Sequence, residues 1–365
     1  MLSLAVFLVI LGVLIIVHEF GHFIASKRSG VIVERFSLGF GPKLFSFKRK
    51  ETLYTICAIP LGGFIKMAGD NLEEYKGAPG EYLTQPIIKR FAIVFSGPLL
   101  NYVLGVVLFC LIFFVGYPTL TNKVGETIPG YGAEQAGILP GDRIVAVEGF
   151  RVSVWEELQK QIQLNRDKTA VSLSVERDAR QFDLSVPLRT QAVEDVLGQR
   201  RNMGLVGIKP DVKETIIVRH GALESVSLGV RKSVDLTIMT YKAMWLMVAR
   251  KMSVKESVTG PLGMFMITSE AAKMGLIALT HLVAVLSISL AIFNLLPLPA
   301  LDGGHIFLMA VEKIRGKALS QKADMVFNRV GFAFIITLAV LVFYNDLMKY
   351  GFVDRILQLF TRRGA

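Results

Sequence analysis

Four apolar runs, roughly Leu2–Ala25, Phe91–Gly116, Met274–Leu298 and Val330–Tyr344, set the strongest limit on what this chain can fold into. About 20 mostly apolar residues cover the hydrocarbon core of a bilayer as a single helix. Lipid cannot satisfy backbone N–H and C=O groups, so segments of this kind cross as helices. The fourth run is the shortest and needs its flanking residues to complete a crossing. Composition agrees: 52% of the 365 residues are hydrophobic, only 19% are charged, and the mean hydropathy is +0.49. The sequence therefore predicts a polytopic α-helical membrane protein with four transmembrane helices.

The net charge of +11 is not a nucleic-acid signal, because the cations sit beside apolar runs and not in a domain of their own. Residues 27–90 carry eleven Lys and Arg, residues 312–329 carry five, and nothing basic precedes Lys27. The positive-inside rule puts those two loops in the cytoplasm and the N-terminus outside. Residues 117–273 and the tail 347–365 then also lie outside, the tail against the rule. An apolar stretch with no basic residue ahead of it is unlike a signal peptide, so the first helix is expected to be retained. The two cysteines, Cys57 and Cys110, suggest no disulfide framework.

Between the spans the character changes. Residues 117–212 carry Gly and Pro punctuation, alternation over Ala170–Val175 and one helical run over Val154–Leu164, which together predict an inserted β-rich domain. Residues 213–273 read as an amphipathic helical connector, and its stretch Leu236–Val248 fits a membrane surface or a docked helix equally. In the loop 27–90, Leu53–Met67 is apolar and broken by Pro60, Gly62 and Gly63, which fits a membrane-associated β-hairpin able to offer an edge to an extended peptide. The full division is 1–26, 27–90, 91–116, 117–212, 213–273, 274–298, 299–329, 330–346 and 347–365.

The first span ends in His18-Glu19-Phe20-Gly21-His22. A helix puts residues i and i+4 on one face, so both imidazoles can bind one Zn²⁺ while Glu19 is placed to take a proton from water. Ionisable groups at membrane depth are costly, and three within five residues call for a shared partner. A catalytic zinc also needs a third protein ligand and one open position. Asp302, in Asn294-Leu-Leu-Pro-Leu-Pro-Ala-Leu-Asp302-Gly-Gly-His305, is the strongest candidate, with His220, His281 and His305 as the other choices. Pro297 and Pro299 break the helix, and Gly303–Gly304 is expected to let the backbone bend so the carboxylate turns inward. Asn101 and Asn294 are amides within apolar runs and need hydrogen-bond partners, as helix–helix contacts or as substrate-positioning groups.

HEFGH at 18–22, IPLGGFIKM at 59–67, FSGPLLN at 95–101 and NLLPLPALDGGH at 294–305 resemble the site-2 proteases, more narrowly the bacterial regulator-of-sigma-E protease (RseP) type. The resemblance implies that His18, His22 and Asp302 are zinc ligands and Glu19 the general base. It implies that the hairpin with Gly62, Gly63 and Phe64 holds unwound substrate, that Asn101 and Asn294 lie near the scissile carbonyl, and that Gly260-Pro261-Leu-Gly263 is a family feature. Residues 117–212 are similar to a PDZ domain, through Ala136-Gly-Ile-Leu-Pro-Gly-Asp142-Arg-Ile-Val. Known members of this type carry two such domains, and this chain has room for one. The implied activity is zinc-dependent cleavage of single-pass membrane proteins, such as an anti-sigma factor or remnant signal peptides, in a bacterial inner membrane.

Overall fold

The computed structural model describes residues 2–71, 73–195, 198–253, 258–317 and 320–350. The tail cations Arg355, Arg362 and Arg363 lie outside the described residues. The chain divides into two compact units, one dominated by helices and the other comprising mainly residues 113–224.

In the helical unit, four helices are long and apolar enough to cross a membrane: α1 (Leu2–Arg28), α2 (Ile87–Val115), α7 (Leu276–Asn294) and α9 (Gln321–Lys349). Glycines let them approach closely. A Cβ on Gly21 would overlap the Ser96 carbonyl, and one on Gly105 would overlap Ile288. Such small-residue contacts let α1 and α7 close on α2, where the hydrophobic effect gives no drive between helices. The Ser287 hydroxyl reinforces the second contact by donating to the Asn101 carbonyl at 2.7 Å.

The fourth span is longer than its apolar core because helix continues through polar flanks. Its Asp346 has no exposed surface, yet it is tolerated because its carboxylate accepts the N–H groups of Gly260, Leu262 and Gly263, each at 3.0 Å. Those are unpaired donors at the start of α6 (Pro261–Met274), so the buried charge and the helix end satisfy each other. Helix α6 in turn rests on α1 through the Phe7–Phe265 ring pair and a Ser269–Ser3 hydrogen bond of 3.0 Å.

Ahead of α6, α5 runs over Ala222–Val248. Its Gly229 abuts Cys110 of α2, and the Thr237 hydroxyl lies 3.1 Å from that of Tyr102. The Thr237 contact docks the start of Leu236–Val248 on α2, whereas Ile238, Tyr241, Trp245 and Val248 are exposed.

Strands β1 (Val33–Arg49) and β2 (Thr52–Met67) form a sheet in which each strand is bent back on itself. Residues 35–38 lie opposite 53–56 on one side and 63–66 on the other, while 43–49 lies opposite 52–57. Four extended runs therefore stand side by side, with 63–67 at one edge and 43–49 at the other. The φ of +117° at Gly62 favours glycine, and a side chain there would strike the Phe40 ring.

The second unit is a β-rich domain. Strands β3 (Tyr117–Leu120) and β12 (Thr215–Val218) pair at its base, so residues 215–218, within the stretch read as connector, are strand. Next come β4 (Val124–Thr127), α3 (Gly132–Gln135), β5 (Arg143–Val147), β6 (Phe150–Arg151) and α4 (Trp155–Leu164). They are followed by β7 (Ala170–Arg177), β8 (Arg180–Pro187), β9 (Arg189–Glu194), β10 (Arg200–Leu205) and β11 (Ile208–Pro210). A four-stranded sheet of order β6-β5-β7-β8 faces α4. The alternation in β7 turns Val171, Leu173 and Val175 into a core with Val124, Ile144 and Leu158. Burial alone would push the Asp142 carboxyl up, but Arg177, 2.7 Å away, outweighs it and holds it below the usual carboxylate range.

Candidate metal centre and active site

The site begins one helical turn at a time. His18 and His22 lie on the inner face of α1, both nearly buried, and their rings meet edge to face at 4.7 Å. The Nδ1 of His22 donates to the Ile93 carbonyl of α2 at 2.9 Å, which leaves its Nε2 facing inward for a metal. Ring and helix can meet this closely only because residue 97 is glycine: a Cβ there would overlap His22 Nε2. The Gly97 of FSGPLLN is thus the floor beneath the His22 imidazole.

Asp302 arrives from the far end of the sequence. Helix α7 ends at Asn294, the chain turns through Pro297, Pro299 and Ala300, and α8 (Asp302–Arg315) starts at the carboxylate itself. Ala300 takes a left-handed φ of +65°, a cost accepted to make the turn tight. Gly303 and Gly304 have helical conformations and do not supply the bend that the sequence suggests. Their role is close approach, since Cβ atoms there would overlap the carbonyls of Leu296 and Leu298. The bare start of α8 lies directly on the turn that follows α7, and Asp302 is carried to α1. A bidentate ion pair from Arg90 of α2 to Glu312, at 2.7 and 3.1 Å, ties the other end of α8 in place.

The result is a cluster of His18, His22 and Asp302, whose ligand atoms all lie within 4.8 Å of one another. His18 Nε2 is 3.0 Å from one Asp302 oxygen, His22 Nε2 is 3.5 Å from the other, and the two Nε2 atoms are 3.1 Å apart. Ligands about 2.0–2.1 Å from a tetrahedral zinc are ~3.3 Å from each other, so this donor set fits that ion and leaves one position open. Burial alone would raise the Asp302 carboxyl, but the two imidazoles outweigh it and hold it well below the usual carboxylate range.

The other predicted residues are distributed as follows. Glu19 is beside the cluster, and the Ile65 N–H at the 63–67 edge of the sheet points at its carboxylate. A Cβ on Gly63 would overlap the Ser37 carbonyl at 2.8 Å and make only ordinary contact with Glu19 Cγ at 3.5 Å, so this glycine serves the close pairing of the strands beside Glu19. Phe64 stacks on Phe40 at 6.1 Å. Asn101 is fully buried one turn from Gly97, and among the described residues its side-chain amide has no hydrogen-bond partner. Asn294 is half-buried at the end of α7 and, among the described residues, makes no hydrogen bond to the cluster. His305 is exposed, His281 meets Phe109 edge to face, and His220 pairs with Glu224, so none joins the cluster. Sequence reasoning missed the Ile93 carbonyl and the Arg90–Glu312 pair, which carry no local pattern.

Peptidase family M50 matches residues 6–338. The chain belongs to that family. A Clostridium acetobutylicum protein that carries a zinc metalloprotease name is 34% identical over 92% of this chain and 95% of its own length. The zinc metalloprotease RasP of Oceanobacillus iheyensis is 28% identical over 96% of this chain and 99% of that one. The PDZ domain of an SdrC-like protein from Listeria monocytogenes aligns with 27% of this chain and 92% of itself, at 15% identity and a TM-score of 0.21. As an M50 peptidase with four helices long and apolar enough to cross a membrane, the chain is an intramembrane protease.

Proposed function

We propose that His18, His22 and Asp302 hold the zinc, and that Glu19 is the general base for peptide-bond hydrolysis within or near the transmembrane segments of other proteins. The convergence of three ligand atoms from two distant helices, spaced as a tetrahedral ion requires, carries this reading. Bound zinc would act as a Lewis acid, lowering the pKa of water and polarising the scissile carbonyl. Glu19 takes the proton from the attacking water and returns it to the leaving amine. A non-catalytic PDZ adaptor would have no need of Glu19 between two ligands, and a zinc or ion transporter that used His18, Glu19, His22 and Asp302 as a permeation site would have only four spans among the described residues for its pore and no use for the inserted domain.

A helical substrate hides its carbonyls in its own hydrogen bonds and has to unwind before attack. Extended pairing along the 63–67 edge would hold it open, with Gly62, Gly63 and Phe64 lining its path beside Glu19. The unfilled amide of Asn101 is available to substrate or to an oxyanion, and Asn294 is assigned to the same positioning role. Substrates are single-pass membrane proteins, an anti-sigma factor or remnant signal peptides, cut in a bacterial inner membrane with the active site toward the cytoplasm.

Asp302→Ala should lower zinc affinity by roughly 10²-fold or more, because two imidazoles alone make a poor site. Elemental analysis of the purified variant checks this. Unchanged zinc content would transfer the third ligand to His305 or His281.

The PDZ-like domain lies on the outer side and filters substrates by bulk. It also offers a groove of about 330 Å³ between α4 and Met203–Ile208 for a peptide. Since Leu120 and Thr215 pair directly, replacing 121–214 by a short turn keeps the base hairpin. That variant should cleave untrimmed substrate that the intact chain refuses; equal refusal by both would discard the filter.

A further inference from the structure

The sheet beside the active site has a second edge that the mechanism does not use. Run 43–49 and the turn after it hold Lys43, Lys48, Arg49 and Lys50, with no acidic residue between positions 43 and 50. Among the described residues none of these four cations has an acidic partner. The nearest carboxylate, Glu51, faces Lys27 at 3.7 Å. At the catalytic edge the situation is opposite, since Lys66 is neutralised by Glu34 and Glu74.

Apolar side chains stand among these cations. Leu44, Phe45 and Phe47 are 70%, 58% and 48% exposed. An open strand edge with exposed aromatics is an association hazard in water, and soluble proteins blunt such edges with charges, prolines, bulges or a covering element. Aromatic rings interleaved with cations instead fit the zone between acyl chains and headgroups, where rings sit at the boundary and cations meet phosphate.

The rings also connect this edge to the catalytic helix. Phe45 meets Phe47, Phe47 stacks on Tyr54 at 4.9 Å, and Tyr54 meets both Phe36 and Phe23. Phe23 stacks on Phe20, the residue that follows Glu19. A row of aromatic contacts thus runs across the sheet from its outer edge to α1, and the outer edge cannot move without disturbing it.

We infer that Lys43–Lys50 is a docking surface for anionic lipid headgroups, and that lipid held there sets the depth at which the opposite edge presents substrate to Glu19. This rests on the proposed reading that the sheet lies at the membrane surface. The committed partner is the lipid. An acidic segment of another protein, or free phosphate, is a competing outcome of the test.

The test uses the full chain in phosphatidylcholine nanodiscs with and without about one third phosphatidylglycerol. An environment-sensitive fluorophore is placed at Ser46→Cys, between the two phenylalanines, with Cys57→Ala and Cys110→Ala. Cleavage of a transmembrane substrate is followed in parallel with the unlabelled chain. Phosphatidylglycerol should blue-shift the probe and raise cleavage several-fold, and added salt should weaken both effects. K43Q/K48Q/R49Q/K50Q should lose the lipid response, with affinity for the anionic surface falling about fivefold per cation removed.

A probe inserted equally in both lipids, with equal cleavage, would overturn the lipid inference and leave the membrane-surface reading standing. A probe that stays in water in both would remove that reading and the inference with it. A quadruple variant that still responds like wild type, or a response reproduced in phosphatidylcholine by inorganic phosphate or an acidic peptide, would also defeat the proposal.

Discussion

Glu19→Gln abolishes cleavage of a reconstituted transmembrane substrate, by ~10³-fold or more, while zinc content and thermal stability stay at wild-type values. The expected size follows from the role: a positioned general base contributes about 10²–10⁴ in rate, and the amide cannot take a proton. Zinc should stay because the cluster consists of His18, His22 and Asp302, and Glu19 is not among its ligand atoms. Stability should stay because Gln keeps the shape of Glu and can still accept the Ile65 N–H through its carbonyl. Zinc content and cleavage have to be measured on the same preparation. Activity near wild type with zinc present would remove Glu19 from the mechanism, and loss of zinc together with activity would make it a ligand.

Gly97→Ala is expected to be as damaging as loss of a ligand, although it adds only a methyl group and touches no substrate. The new Cβ would overlap His22 Nε2, the proposed ligand atom, and the contact is flanked by helix on both sides. The ring is pinned from behind by the Ile93 carbonyl at 2.9 Å, so it cannot step aside without breaking that bond. Zinc affinity should fall by about 10²-fold, at the upper end of what misplacing a ligand through its supporting groups costs. Leu99→Ala, two residues along the same helix on its exposed face, should leave zinc binding unchanged. Full zinc content in Gly97→Ala would show that α1 and α2 can part at this point, and that the close contact is not what orients His22.

These two expectations mark different depths of reading. His18, Glu19 and His22 are legible in the sequence because one turn of helix brings i and i+4 together wherever the helix sits. Gly97 is also visible, inside FSGPLLN, but its purpose is not, because a glycine that permits close approach looks the same in sequence as one that permits a turn. Gly303 and Gly304 make the point directly. Their sequence suggests a flexible bend beside two prolines, whereas in the fold they are helical and give bare backbone for α8 to rest on the turn that follows α7. Asp346 is similar: a carboxylate in a marginal span weakens the case for that span until the three N–H groups it accepts are seen.

The sequence by itself determined the solvent and the local chemistry: four helices for lipid, a β-rich insertion, and two imidazoles with a carboxylate between them. Hydropathy and helical spacing are properties of neighbouring residues, so no knowledge of distant contacts is needed. Only the tertiary structure decided that Asp302 completes the cluster, that Ile93 orients His22, and that one edge of the sheet reaches Glu19. Each of these joins residues far apart along the chain. Their meeting depends on how closely bare glycine backbone lets α1, α2, α7 and α8 approach, a distance that no local pattern encodes.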